Sequence, residues 1–233
     1  MGDEMDHQDK RMTVSGSGNE HFGYEYRPVL AAAQKPAATG TARPDSPAPT
    51  PYDGLRSRNV FVVHGRDEQA RLAMFGLLRR LDLRPLEWEE LVRATGKTSP
   101  YIGEVIANAP SLAQAALVLL TPDDTAKLHP ELLGDYERVD EVQYTGQPRQ
   151  NVLIELGMVL MAYRARTVIV EVGRLRHATD IEGLNVIRFD GSQSSLEKVV
   201  ARLKVAECPV DDSRSDWRDT SYFENLSAYR RLA

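Results

Sequence analysis

Residues 59–67 read NVFVVHGRD and combine an apolar run with a short polar segment. The run Asn59–Val63 is β-branched and aromatic, which is typical of a strand buried on both faces of a sheet. Asp67 is a suitable N-cap for a helix, because apolar residues follow it with helical spacing from Ala70 to Leu81. The stretch therefore predicts a strand, a short loop and a helix in immediate succession.

The same alternation of strand and helix continues to residue 205. We predict further strands at Arg84–Trp88, Ala115–Thr121, Thr167–Val172 and Asn185–Phe189, and helices at Thr98–Ala109 (ended by Pro110), Asn151–Arg164 and Ser194–Val205. Short connections between strands and helices indicate a parallel sheet covered on both faces. We therefore predict an α/β fold, a flavodoxin-like doubly wound five-stranded parallel sheet with its ligand crevice at the carboxyl ends of the strands. The loops near 64–67, 88–98 and 121–125 should meet at that edge.

The two ends of the chain differ from this α/β segment, which we place at residues 59–206. Residues 1–58 contain a run rich in proline and alanine, which predicts a disordered, linker-like segment. Residues 128–148 are polar and predict a lid or a surface loop. The tail, residues 207–233, fits either a terminal helix packed on the domain or a contact with a partner. It carries Trp217, Tyr222, Phe223, Leu226 and Tyr229, of which the last four have helical spacing.

Composition argues against several classes of protein. The 29 Lys+Arg against 34 Asp+Glu give a net charge of −5, so a basic surface for nucleic acid or an anionic membrane is not expected. The apolar runs fall short of the roughly 18 residues that cross a bilayer, and no signal segment opens the chain. With Cys208 as the single cysteine and no ligand spacing among the histidines, a cysteine-rich zinc site is excluded. We expect a cytoplasmic protein without a metal, a membrane or a nucleic-acid partner.

One charged residue stands inside an apolar helix. Glu155 lies in the otherwise apolar run Val152–Met161, where a carboxylate must be paired, face a cavity or carry a large desolvation cost. Asn151 is one helical turn earlier on the same face. Gly157 costs about 1 kcal/mol relative to alanine in a helix, which indicates close approach by a ligand or by the sheet. A structural glutamate neutralised by a nearby arginine is the alternative; we favour a functional role.

Three ordered motifs carry a family resemblance: residues 60–67 (VFVVHGRD), 118–124 (VLLTPDD) and 149–157 (RQNVLIELG). They resemble the bacterial TIR-like family of nucleotide-binding proteins, whose relatives include TIR effectors of cyclic-nucleotide anti-phage defence. The resemblance covers about residues 59–190. It implies a TIR fold and, for active members, hydrolysis of NAD+ to nicotinamide and ADP-ribose or its cyclised form. The family's catalytic glutamate maps onto Glu155, and NAD+ is a substrate, so no cofactor is expected.

Cleavage of the ribose–nicotinamide bond suits a single carboxylate. The nicotinamide of NAD+ carries its own positive charge and leaves as a neutral pyridine, so no general acid is required. Ordinary glycosidases need a pair of carboxyl groups, because their leaving oxygen must be protonated. Glu155 would hold the 2′- and 3′-hydroxyls and stabilise the cation that develops on the ribose. Its apolar surroundings would strengthen that interaction by excluding water.

Residues of three loops and of the Glu155 helix are predicted to complete the NAD+ site. They are His64, Gly65, Arg66, Asp67, Trp88, Thr98, Thr121, Asp123 and Asn151. Gly65 would let the backbone approach ribose or phosphate, and Arg66 would pair with a pyrophosphate or with a nearby carboxylate. Asp123 is equally well explained as a cap and turn residue, and Trp88 is more simply a half-buried core residue than a stacking one.

Two other functions remain compatible with the sequence. One is a non-catalytic TIR module that self-associates or binds a nucleotide signal. The other is a different N-glycosidic enzyme, such as a nucleoside deoxyribosyltransferase. TIR enzymes that this chain resembles complete their sites across subunits, which implies a homo-oligomer on activation. No cyclic-nucleotide sensor is recognisable in the sequence, so a separate sensor protein or another partner is expected to supply the trigger.

Overall fold

The computed structural model describes residues 56–176, 178 and 183–231. Its strands are β1 Asn59–His64, β2 Arg84–Leu86, β3 Ala115–Leu120, β4 Asp124–Ala126, β5 Thr145–Gln147, β6 Thr167–Val172 and β7 Ile187–Phe189. Five of them form one parallel sheet in the order β2-β1-β3-β6-β7, which confirms the predicted doubly wound α/β fold. The winding reverses between β1 and β3. Such a switch point is where doubly wound sheets bind ligands, at the carboxyl ends of the strands.

The described helices are α1 Glu68–Arg80, α2 Trp88–Ala94, α3 Ile102–Leu112, α4 Val139–Val142, α5 Gln150–Ala162 and α6 Gln193–Val205. The predicted cap of α1 is confirmed, because the Ala70 amide donates to Asp67 Oδ1 at 2.9 Å. Ser192 caps α6 in the same way, through the Ser195 amide. Of the helices described, none combines the length and apolar character that crossing a bilayer would take.

The core has two layers because the central strands are apolar on both faces. All six residues of β3 are buried, and successive side chains point to opposite sides of the sheet. Leu117 and Leu119 join the layer that α1 and α6 cover. Ala116 and Val118 join the layer that α2, α3 and α5 cover. Helices therefore protect both faces of the sheet, as a parallel sheet requires.

The structure corrects the sequence prediction around β2 and α3. β2 ends at Leu86, and Trp88 begins α2, a helix that the sequence did not predict. Glu87 and Glu90 form a reciprocal capping box that starts this helix. α3 begins at Ile102 instead of Thr98, and Pro110 lies in its last turn instead of ending it. A proline near the helix end removes one amide donor, and the helix continues for two more residues.

Residues 128–148, which form an insertion between β3 and α5, and the C-terminal tail contain further secondary structure. Residues 128–148 contain α4 and β5, and β5 pairs antiparallel with β4, which precedes the insertion. The tail forms 3-10 turns at Asp216–Arg218, Thr220–Tyr222 and Ser227–Arg230 where the sequence also allowed a terminal helix. Five tail side chains are buried in the layer with α1 and α6: Cys208, Trp217, Phe223, Leu226 and Ala228. Of the segment predicted to be disordered, residues 1–55 lie outside the described part, and residues 56–58 are helical.

Candidate functional site

Glu155 lies in the second turn of α5, close to the carboxyl edge of the sheet. α5 runs from that edge back to the start of β6, so its first residues lie at the edge. Arg149, immediately before the helix, places Nη1 3.9 Å from Oδ1 of Asp124, just beyond β3. Glu155 is five residues after Gln150, or about 7.5 Å along the helix axis. Glu155 therefore lies one to two turns from the end of α5 that is at the carboxyl edge of the sheet.

The Glu155 carboxylate is half-buried and is not neutralised by a neighbour. Its helical neighbours Val152 and Leu156 are buried. Within the described residues Glu155 forms neither a hydrogen bond nor an ion pair, because Arg149 engages Asp124 and the Arg66 side chain is exposed. Burial raises the pKa of Glu155 above its ordinary value. The structural alternative, a glutamate neutralised by an arginine, is absent from this part of the chain.

Asp123 ties the loop after β3 to the loop after β1. The Arg66 amide donates to Asp123 Oδ2 at 2.6 Å, and the Thr121 hydroxyl donates to Oδ1 at 2.8 Å. A Cβ on Gly65 would lie 1.7 Å from Asp123 Oδ2, so a side chain there requires the Asp123 carboxylate to move from its present position. The turn role considered for Asp123 is therefore present, and its carboxylate holds the loop at the switch point.

The C-terminal tail reaches the same loop. Arg231 Nη1 lies 3.0 Å from Asp67 Oδ2 and 3.7 Å from Asp123 Oδ1. These two acidic side chains are 2% and 4% exposed, so the guanidinium balances two buried carboxylates. His64 completes the loop, with Nδ1 2.9 Å from the Gly65 carbonyl oxygen. Sequence reasoning missed Arg231, because no local pattern links the end of the chain to a loop near its start.

The remaining predicted site residues are less closely connected. Trp88 is half-buried, and its ring centroid lies 6.4 Å from that of Phe61. Thr98 is exposed in the loop before α3, and Asn151 is exposed one turn before Glu155. Hydrogen bonds thus join Arg66, Thr121 and Asp123 into one unit, whereas neither Thr98 nor Asn151 bonds to it in the described structure.

Gly157 does not contact the sheet. A Cβ at this position would meet no atom within 4 Å, so the expectation that the sheet approaches this glycine is wrong. Gly157 instead lies on the outside of α5 between two exposed apolar side chains, Ile154 at 56% and Met161 at 87%. We call Ile154, Gly157 and Met161 the outer α5 surface. An apolar helix surface with a central glycine allows another helix or chain to approach closely.

Comparison with known families adds to this geometry. Residues 59–191 match the family described as "CAP12/Pycsar effector protein, TIR domain". The chain belongs to this family. The match includes all three motifs, which lie on β1, on β3 and on α5 with their adjoining loops. It confirms the resemblance to TIR effectors of anti-phage defence.

A similar protein is the "Uncharacterized protein YuaY" of Escherichia coli (strain K12), which is 27% identical over 160 residues. The aligned region covers 68% of this chain and 49% of YuaY, so the chain spans about half the length of that relative. In this TIR-domain effector, the loops of the candidate site and Glu155 lie inside the family match. The tail that carries Arg231 lies beyond it.

Proposed function

We propose that this TIR domain hydrolyses the ribose–nicotinamide bond of NAD+ and that Glu155 is the carboxylate that faces the ribose. The observation that carries the proposal is the state of Glu155, half-buried, desolvated and without a cation among the described residues. Such a carboxylate lacks an internal partner for its charge, and a developing ribose cation would supply one. Groups with perturbed pKa values cluster at functional sites.

The reaction needs no other acid. When the C1′–N bond breaks, its electron pair moves to the nicotinamide nitrogen, which becomes neutral, and positive charge develops on the ribose. Ionised Glu155 stabilises that charge and holds the ribose hydroxyls. Water then attacks C1′ and releases one proton, so the products are nicotinamide, ADP-ribose and a proton. Buried Val152 and Leu156 beside the carboxylate keep water from screening it.

The loops at the switch point would hold the rest of NAD+. The Arg66 side chain is exposed and engages no described residue, so its guanidinium is available for the pyrophosphate. Its backbone is fixed by Asp123. Trp88, the first residue of α2, offers a half-buried ring for stacking. In this proposal Thr98 and Asn151 contact the dinucleotide from the α3 loop and from α5.

Assembly is part of the proposal. Ile154 and Met161 expose apolar area that a second copy of the chain would bury, and Gly157 removes the side chain that would hold the copies apart. The same surface also favours the second candidate function, a self-associating module without catalysis. A separate sensor protein would then control assembly, in the cytoplasm. Replacement of Glu155 distinguishes the two functions: it should abolish catalysis by an enzyme, and it should leave the effect of a self-associating module intact.

The test is release of nicotinamide from NAD+ by the full chain at high protein concentration, for the wild type, Glu155→Gln and Glu197→Gln. Glu197 lies on the exposed side of α6 and provides the same chemical change away from the site. We expect a loss of about 10²-fold or more for Glu155→Gln and no loss for Glu197→Gln. Equal rates for all three proteins would exclude Glu155 as the catalytic carboxylate. Exchange of bases between nucleosides, with NAD+ unchanged, would indicate the deoxyribosyltransferase.

A further inference from the structure

The C-terminal tail brings a guanidinium to the switch point of the sheet. Asp67 ends the loop after β1, and Asp123 lies in the loop after β3. Arg231 Nη1 lies 3.0 Å from Asp67 Oδ2 and 3.7 Å from Asp123 Oδ1, so the guanidinium contacts both loops at once. Doubly wound sheets bind ligands in the crevice between such loops, outside the carboxyl ends of the strands. Arg231 therefore lies at the place where this fold binds its ligands.

Arg231 is open to solvent, whereas its two acidic partners are not. The Asp67 and Asp123 side chains are 2% and 4% exposed, and the Arg231 side chain is 38% exposed. Each carboxylate also accepts a hydrogen bond from the backbone. Asp67 accepts from the Ala70 amide at 2.9 Å, and Asp123 accepts from the Arg66 amide at 2.6 Å. The guanidinium is thus the part of this charged cluster that a ligand can reach.

Most hydrogen-bond donors of the Arg231 guanidinium are unused. Within the described residues its one hydrogen bond runs from Nη2 to the Ser227 hydroxyl oxygen, at 2.8 Å. A guanidinium has several N–H donors in one plane and accepts no hydrogen bond, so only an acceptor can use the donors that remain. Its planar geometry matches phosphate oxygens in pairs. The unused donors of Arg231 therefore suit a phosphate group.

Contacts between the tail and α1 hold Arg231 in place. The Gln69 side chain donates to the Asn225 carbonyl oxygen at 3.0 Å and accepts from the Ser227 amide at 2.9 Å. Leu226, between these two tail residues, is buried in the layer that α1 covers. A side chain that is fixed before binding loses less conformational entropy when a ligand arrives. The tail thus presents Arg231 in a pre-organised position.

We propose that Arg231 binds the pyrophosphate of NAD+, together with the exposed guanidinium of Arg66. The Arg66 amide lies at one oxygen of the Asp123 carboxylate and Arg231 lies near the other, so both arginines flank the same point of the crevice. Two guanidinium groups balance the charge of a pyrophosphate. The inference rests on the proposed function, since it concerns the same substrate. It makes the tail, which lies beyond the family match, a determinant of substrate choice.

The first test measures binding without hydrolysis, by calorimetric titration of the full chain carrying Glu155→Gln with ADP-ribose. We expect saturable binding that Arg231→Lys weakens by about tenfold or more, because lysine keeps the positive charge beside Asp67 and loses the planar donors. Arg230→Lys is the matched control and should leave binding unchanged, because Arg230 is exposed and forms no ion pair in the described structure. Non-saturable binding of ADP-ribose, or binding that Arg231→Lys leaves unchanged, overturns the proposal. Tighter binding by Arg231→Lys also overturns it, because the arginine would then obstruct the crevice.

The second test separates a contact with the substrate from support of the loops. Nicotinamide riboside has the same ribose–nicotinamide bond as NAD+ and lacks the pyrophosphate. We expect Arg231→Lys to lower kcat/KM for NAD+ by about tenfold and to leave kcat/KM for nicotinamide riboside unchanged. Equal losses for the two substrates would mean that Arg231 only supports the fold, and would overturn the proposal. If the wild type cleaves neither substrate, the proposed function fails, and the ADP-ribose titration alone decides the role of Arg231.

Discussion

The Arg231 guanidinium lies 3.0 Å from the Asp67 carboxylate and joins the last described residue of the chain to the first loop of the sheet. Asp67 Oδ2 is buried and has no hydrogen-bond partner among the described residues, so this ion pair provides the charge beside it. Arg231 also approaches Asp123 at 3.7 Å. The tail thus stabilises the loop geometry that we assign to NAD+ binding, although it lies outside the family match.

Replacing Arg231 should therefore destabilise the fold. Arg231→Ala leaves two buried carboxylates without their cation, and we expect a loss of about 1–2 kcal/mol in the free energy of unfolding. Arg230→Ala is the matched control, because Arg230 is exposed and forms no ion pair in the described structure. Urea denaturation of both variants measures the difference. Equal stability would show that the ion pair contributes nothing.

A side chain at Gly65 is predicted to displace the Asp123 carboxylate. In Gly65→Ala the new Cβ would overlap Asp123 Oδ2 at 1.7 Å and displace it from the Arg66 amide. We expect a loss of about 2 kcal/mol or more in unfolding free energy, with reduced nicotinamide release. Gly183→Ala serves as control, because a Cβ there meets nothing within 4 Å. A fully stable and active Gly65→Ala protein would contradict the loop geometry.

The raised pKa of Glu155 predicts a pH-dependent stability. Since folding raises this pKa, the folded state binds more protons than the unfolded state, and stability falls as pH rises from the unfolded pKa to the folded one. Glu155→Gln removes this penalty, so it should stabilise the protein near about pH 7.5, and the difference should vanish below about pH 4. Urea denaturation midpoints of the wild type and of Glu155→Gln at both pH values measure this difference in stability. Destabilisation at the higher pH would mean that Glu155 has a structural partner.

Gly157 should show opposite effects on the monomer and on assembly. Gly157→Ala is expected to stabilise the α5 helix by up to about 1 kcal/mol, because glycine is a poor helix former and the space beside it is open. It should also weaken self-association, because the added methyl group separates the two copies. Gly76→Ala makes the same substitution in α1 and is the control, because it should leave self-association through α5 unchanged. Analytical ultracentrifugation compares the self-association of the two variants. Identical self-association would show that the outer α5 surface is not the interface.

The strands were predictable where burial alone determines them. Thr167–Val172 is apolar and β-branched apart from Thr167 and Glu171, and β6 has the predicted bounds. The end of β2 was not predictable in this way, because Trp88 fits a strand and a helix equally well. The capping box of Glu87 and Glu90 decides between them. A proline such as Pro110 marks the end of a helix only to within a turn.

The candidate site was predictable only in part. Glu155 could be identified because a charge within an apolar helix is unusual, and its half-buried position agrees with that reasoning. The Asp123 contact with Arg66 depends on two loops that meet only in the folded sheet, although the parallel fold predicts that they approach. The contact of Arg231 depends on the path of the tail, which follows from tertiary packing: the helical spacing from Tyr222 to Tyr229 allowed a terminal helix, and the tail forms 3-10 turns.

The most direct test of the central claim compares NAD+ and NADH as substrates of the concentrated wild-type protein, with free nicotinamide or dihydronicotinamide as the readout. A lone carboxylate without an acid can expel only a leaving group that already carries positive charge. We therefore predict that NAD+ is cleaved and that NADH is not. Cleavage of both substrates would mean that a proton donor takes part. Cleavage of neither would contradict the assignment of Glu155 to this reaction.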